Sequence, residues 1–288
     1  MYKVLLVPAL GMAADAPVFE TAHLAARMFG AHVAFLHVRI DVREMIVAMA
    51  SSDMGGGGIS GIVDQMEKDS LAQEQAAHKG FEGFRDRTKL PVATVPNGAG
   101  VSVEWRTELG DMSVWLAAHG RSADLLVVGR ARDDEPVAMD VLEAGLMDTG
   151  RPLLIVPAKT PETLTGTVTI AWKDTPEAAR AVAAALPFID KAERVVILSV
   201  QEDETTTEES CERLLRALHW HNKNTTRQYL RATNDQPLVQ TLIDAATNAG
   251  TSLLVMGGYS HSRLREVVFG GFTRHIMTGT DLPVLMAH

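Results

Sequence analysis

The feature that most constrains this chain is that it repeats itself. Lys3–Val7 (KVLLV) resembles Thr167–Ala171 (TVTIA). Each apolar run leads through a loop into an Ala-rich helical stretch, residues 20–30 (ETAHLAARMFG) in the first copy and 176–189 (PEAARAVAAALPFI) in the second. Another apolar run follows each helix, His32–Val38 and Arg194–Val200. Asp124–Gly129 (DLLVVG) then matches Ser252–Gly257 (SLLVMG), and Arg151–Val156 (RPLLIV) matches Leu282–Ala287 (LPVLMA). Val101–Thr107 and Thr226–Leu230 complete five strands per copy. Strands that alternate with helices imply βαβ units and a parallel sheet. Runs that are continuously apolar, rather than alternating, imply helices on both faces. The expected fold class is therefore α/β, with two Rossmann-like domains, each a five-stranded parallel sheet covered on both sides. The polar, breaker-rich stretch Pro157–Gly166 divides them, giving domains over 1–158 and 166–288.

The copies differ most at residues 45–80, where the first carries an insertion with four consecutive glycines, Gly55–Gly58. Such a run is flexible at high entropic cost. The excursion over 51–61 reads as a spacer or lid leading into a polar helix over Ile62–Arg87. It is not a P-loop, because no Lys-Ser/Thr follows the glycines.

Composition narrows the function further. The net charge is −9 with no basic stripe, which argues against nucleic acid as a partner. A single cysteine, Cys211, leaves no internal disulfide and no Cys-rich zinc site. No apolar run reaches the length that spans a bilayer, so no membrane partner is expected. Lys3 to Ala16 looks superficially like a secretory signal, but a matching strand recurs inside the chain, so it reads as a buried first strand and the protein as cytoplasmic. The motifs of P-loop NTPases, α/β-hydrolases, zinc proteases and Rossmann dehydrogenases are all missing.

In open parallel sheets ligands bind beyond the carboxyl ends of the strands. The richest such loop follows Met256. It contains Gly257, Gly258, Ser260, His261, Ser262, then Gly270 and Gly271 ahead of a short helix over Phe272–Met277 that holds Thr273. Glycines admit a ligand close to the backbone, and a helix start offers free N–H groups to an anion. The same glycines have a second reading, as turn and close-packing positions.

This loop resembles the nucleotide-binding signature of the universal stress proteins: Gly, two residues, Gly, nine residues, Gly, then Ser or Thr. Gly257 and Gly270 match it, whereas Ser260 and Gly271 stand where Gly and Ser/Thr belong. The phrases AWKDTPEAARAVAAALPFI and HSRLREVVFGGFTRHIM are also similar to the family, and the resemblance runs over the whole chain as a tandem pair. It implies a strand order of 3-2-1-4-5 in each half. It also implies pairing of the fifth strands, Leu153–Val156 and Pro283–Ala287, into an internal pseudo-dimer; a homodimer and an unidentified protein partner are further expectations. For function it implies a stress-response protein binding or sensing ATP or AMP, with Mg²⁺ only alongside ATP and without an enzymatic reaction of its own. Site residues carried over are Lys173, Asp174, Val200, Gly257, Ser260, His261, Ser262, Gly270, Gly271 and Thr273. Lys173 stands where nucleotide-binding members carry an Asp, with Asp174 beside it. Two alternatives stay open: a ligand-free interaction scaffold, and a slow Mg²⁺-dependent nucleotide hydrolase built on Asp174.

The first copy departs further from the signature. Gly129 matches its opening, but Arg132, Leu142 and Glu143 hold the remaining positions, and Asp133, Asp134, Glu135 and Asp140 would repel phosphate. It reads as a degenerate partner in which Arg130 or Arg132 meets an anion at most. Among residues outside the loops, His219-Trp220-His221 falls in a helical stretch over Glu208–Lys223. Histidines two apart on a helix diverge, so no metal site is expected and Trp220 becomes a core anchor. His37 reads as a hydrogen-bonded structural residue, and Cys211, beside Glu209 and Glu212, as unreactive.

Overall fold

The computed structural model describes residues 1–42, 59–96, 98, 100–131, 136–200, 204–231, 236–258 and 271–288. Its first half contains β1 (Val4–Pro8), α1 (Asp15–Phe29), β2 (His32–Arg39), α2 (Ile59–Thr88), β3 (Ser102–Leu109), α3 (Met112–Gly120), β4 (Leu125–Gly129), α4 (Pro136–Met147) and β5 (Leu153–Val156). The second half repeats the order as β6 (Thr167–Ala171), α5 (Pro176–Ile189), β7 (Arg194–Val200), α6 (Glu204–Leu218), β8 (Thr225–Leu230), α7 (Leu238–Asn248), β9 (Leu253–Gly257), α8 (Gly271–Gly279) and β10 (Val284–Ala287).

All strands within a half are parallel, and the order in each is the expected one. The halves are not two separate sheets. β5 and β10 pair antiparallel, Leu154 opposite Leu285, and fuse everything into one ten-stranded sheet ordered β3-β2-β1-β4-β5-β10-β9-β6-β7-β8. This is the internal pseudo-dimer. Because the seam is antiparallel, the carboxyl ends of the first half's strands lie at the opposite end of the sheet from those of the second.

Strand residues alternate between two cores. Leu5, Val7, Leu125, Val127, Leu154, Val168, Ile170, Val255 and Leu285 face α1, α2, α5 and α6. Leu6, Leu126, Val128, Leu153, Ile155, Leu254, Val284 and Met286 face α3, α4, α7 and α8. Continuously apolar strands are the sequence consequence of this two-sided burial. The edge strand β3 is different. Ser102, Glu104, Arg106 and Glu108 share one of its faces, where His32 accepts or donates to Ser102 at 2.9 Å and His119 pairs with Glu108 at 2.9 Å. Charges on an edge discourage pairing with another sheet.

Local signals explain the helix ends. Thr175 caps α5 by accepting from the Ala178 N–H at 3.3 Å, with Pro176 opening the helix. Asp111 does the same for α3 through Val114 at 3.0 Å. Gly30 ends α1 at φ 60, a left-handed conformation that costs glycine nothing. α2 runs a few residues beyond the expected helix at its start. The tetraglycine run, with residues 43–58, lies outside the described residues.

Two expectations are corrected here. α6 ends at Leu218, so His219, Trp220 and His221 occupy the turn after it, and Trp220 is 91% exposed rather than a core anchor. The two histidines take separate partners, the Thr225 carbonyl for His219 and Asp190 for His221. Cys211 is buried, and burial is the first cause that pushes its thiol up; the neighbouring acids are minor.

The seam makes the central Leu pair a test of the architecture. Leu154 and Leu285 are both fully buried. Leu285→Ala is expected to cost about 2–5 kcal/mol, read as a lower urea midpoint. Loss confined to well under 1 kcal/mol would mean that the seam is not part of the common core.

Candidate functional site

The carboxyl ends of β7, β6 and β9 lie side by side, with Ala171 in register with Leu198 and Met256. This brings the loop after β6 (Lys173, Asp174), the end of β7 (Val200) and the end of β9 (Gly257) to one edge of the sheet. Three hydrogen bonds shape the loop. The Trp172 N–H donates to the Leu198 carbonyl at 2.8 Å, the Ser199 hydroxyl donates to the Trp172 carbonyl at 3.0 Å, and the Thr175 N–H returns to the Lys173 carbonyl at 2.8 Å. The Trp172 indole N–H donates to the Ser210 hydroxyl on α6 at 2.8 Å, which turns the ring toward the α5–α6 core. Asp174 pairs with Arg213 at 2.8 Å, and both side chains are 61% exposed. Sequence reading missed Trp172, Ser199 and Ser210; the only signal was the position of Trp172 and Ser199 at strand ends, and Ser210, within α6, carried none.

Gly257 has a visible packing duty. A Cβ there would lie 2.6 Å from the Ala178 nitrogen and 2.7 Å from the Glu177 carbonyl carbon, so the first turn of α5 sits directly on it. Gly129 holds the matching place in the first half, where a Cβ would come within 3.0 Å of Val18 on α1. This contact gives Gly257 a role in close helix packing. Gly271 opens α8, and Thr273 on its first turn is buried. Ser260, His261, Ser262 and Gly270 lie outside the described residues, as do Arg132, Asp133, Asp134 and Glu135. Among the described residues no group of His, Cys, Asp and Glu could hold a metal ion.

At the corresponding end of the first half, the turn after β1 is occupied by the protein's own side chains. Asp15 is 7% exposed, and its carboxylate accepts from the backbone N–H groups of Leu10 (3.2 Å), Gly11 (2.7 Å) and Met12 (3.3 Å). Gln73 of α2 closes over this turn, donating to the Leu10 carbonyl at 2.7 Å. His37, at the end of β2, is hydrogen-bonded to the Ala9 carbonyl at 2.7 Å, as Ser199 is to that of Trp172. It is the structural histidine that sequence reading expected.

Arg130 does not wait for an anion. It is the first residue after β4, and its guanidinium crosses the seam to donate to the carbonyls of Ile276 (2.5 Å) and Leu282 (2.8 Å) in the second half. Burial pushes the guanidinium down to about 10, with Asp281 acting in the opposite sense, so the group stays charged at neutral pH. Gly258 is the equivalent residue after β9. It packs the other way across the seam, and a Cβ there would lie 2.9 Å from Leu146 on α4.

The fold is shared with solved structures of low sequence identity. A universal stress protein from Archaeoglobus fulgidus is 16% identical, with a TM-score of 0.67 over 99% of this chain and 95% of that one. A functionally unknown protein from Pseudomonas aeruginosa PAO1 is 13% identical, with a TM-score of 0.60 over 99% and 92%. No protein-family model and no curated relative matches the sequence. The chain therefore has the tandem universal stress protein fold, end to end. No described helix is long and apolar enough to cross a membrane.

Two outcomes test these contacts. Gly257→Ala is expected to destabilise by about 1–3 kcal/mol, because backbone rather than a mobile side chain stands in the way; a wild-type melting curve would contradict the packing. Burial raises the Asp15 carboxyl above its ordinary value of 3.8, while the three N–H groups and His37 pull it down. A carboxyl raised on folding stabilises the fold fully below its unfolded value, and that contribution is lost as pH climbs through the folded value. Asp15→Asn should therefore flatten the fall in urea midpoint from 3.8 upward. An unchanged slope would assign the pH dependence elsewhere.

Proposed function

We propose that this protein is a cytoplasmic stress-response protein whose second domain, 166–288, binds an adenine nucleotide, ATP or AMP, and whose first, 1–158, serves as its structural partner. The observation that carries this reading is the gathering of the β6, β7 and β9 ends at one edge of the sheet, with Gly257 closing β9 and Gly271 opening α8. The loop after β6 and Val200 would flank the base and ribose. Gly270, Gly271, Thr273, Ser260, His261 and Ser262 would supply amides and hydroxyls to phosphates, which a helix start favours. Mg²⁺ would accompany ATP only, as a counter-charge on its phosphates. The self-filled turn at Asp15 supports giving the nucleotide to the second domain alone.

The test is calorimetric titration of the full chain with ATP–Mg²⁺ and with AMP. Gly270→Val, which crowds the loop ahead of α8, is expected to weaken binding about tenfold or more, the equivalent of one or two lost charge-assisted hydrogen bonds. Wild-type affinity in that variant would move the ligand elsewhere. No heat with either nucleotide would favour the scaffold instead.

A further inference from the structure

The two residues that follow the equivalent strands β4 and β9 have diverged. Position 258 is a glycine held against Leu146, whereas position 130 is an arginine. The Arg130 main chain is fixed in the first half, its N–H donating to the Val156 carbonyl at 2.9 Å. Its guanidinium is fixed in the second, on two carbonyls that bracket the end of α8 and the turn into β10. Ile276 lies in the last turn of α8, where carbonyls lack helical partners and the helix dipole is negative. The planar fork of an arginine can take both carbonyls at once, and a lysine ammonium cannot hold them in the same fixed geometry. Ile276 and Met277, fully buried beside it, anchor the same helix to the sheet.

We propose that Arg130 is a positioning residue through which the first half sets the placement of α8, and with it the anion-binding end of the second half's site. The site itself rests on the nucleotide reading above; the hold on α8 does not. The side chain grips the carboxyl-terminal end of a nine-residue helix whose opposite end, Gly271, begins where the glycine loop stops. A short rigid helix held at one end transmits that hold to the other. The first half, with its own turn occupied by Asp15, thus contributes through an interaction rather than through a second ligand.

The experiment uses the full chain with Arg130→Ala and Arg130→Lys. It reads amide hydrogen exchange over 271–283 and calorimetric affinity for ATP–Mg²⁺. Both variants should exchange faster over 271–283, the alanine more than the lysine, while α5 keeps its wild-type rate. ATP affinity should fall about two- to thirtyfold. Unchanged exchange over 271–283 in both variants overturns the proposal whatever the nucleotide does. Faster exchange with wild-type ATP affinity also overturns it, leaving Arg130 a merely structural clamp. If the wild-type chain takes up no ATP, the nucleotide reading fails by itself, and faster exchange would still uphold the hold on α8. Should Arg130→Ala not fold, Arg130→Lys alone decides by the same two readouts.

Discussion

The antiparallel pairing of β5 with β10 is the constraint on which the rest of the molecule depends. Each half ends on a short strand of four residues, buried on both faces and apolar throughout. Left alone, such a strand is an open sheet edge with unpaired N–H and C=O groups. Pairing the two edges satisfies those groups and joins two five-stranded sheets into one. The remaining edges, β3 and β8, carry charged side chains such as Arg106, Glu108 and Arg227.

The seam is reinforced on both faces of the sheet by unlike means. On the α1–α5 side, Tyr2, Phe29 and Phe188 form an aromatic group across the halves, with Phe29 and Phe188 at 5.1 Å, and the Tyr2 hydroxyl donates to the Ala184 carbonyl at 2.5 Å. Burial pushes that phenol well above its ordinary range, with Asp124 adding to the shift, so it stays a donor. On the α4–α8 side the link is Arg130 in one direction and Leu146 against Gly258 in the other. The two positions are equivalent in the fold, and their different side chains make the two directions of contact different.

That asymmetry extends to the turns after β1 and β6. In the first half, Asp15 sits within three backbone N–H groups of the turn after β1, the kind of cradle that holds a bound anion. In the second, Thr175 takes the helix-cap role and Trp172 turns toward Ser210, leaving Lys173 and Asp174 at the rim. Equivalent positions thus form an internally satisfied turn in one half and a solvent-facing loop in the other.

Much of this was legible in the chain. Two-sided burial makes the inner strands largely apolar, so these, their alternation with helices and the repeat could be read directly, while the polar edge strands β3 and β8 were placed by the repeat alone. Cap residues such as Thr175 with Pro176 located helix starts, since those side chains meet a purely local need. Residues whose role is set by neighbours distant in sequence were less legible. Trp220 looked like core because helical periodicity was extended past Leu218, where the helix in fact ends. Arg130 was left with no role beyond meeting an anion at most, because its partners, Ile276 and Leu282, come from the other copy. The close contact of Gly257 with the first turn of α5 was not legible either, because Glu177 and Ala178 lie far from it in sequence. Sequence by itself determined the strand-and-helix order, because burial and capping leave periodic and local marks. Only the tertiary structure decided which polar groups meet across the seam, because such meetings depend on distance in space and leave no spacing to read.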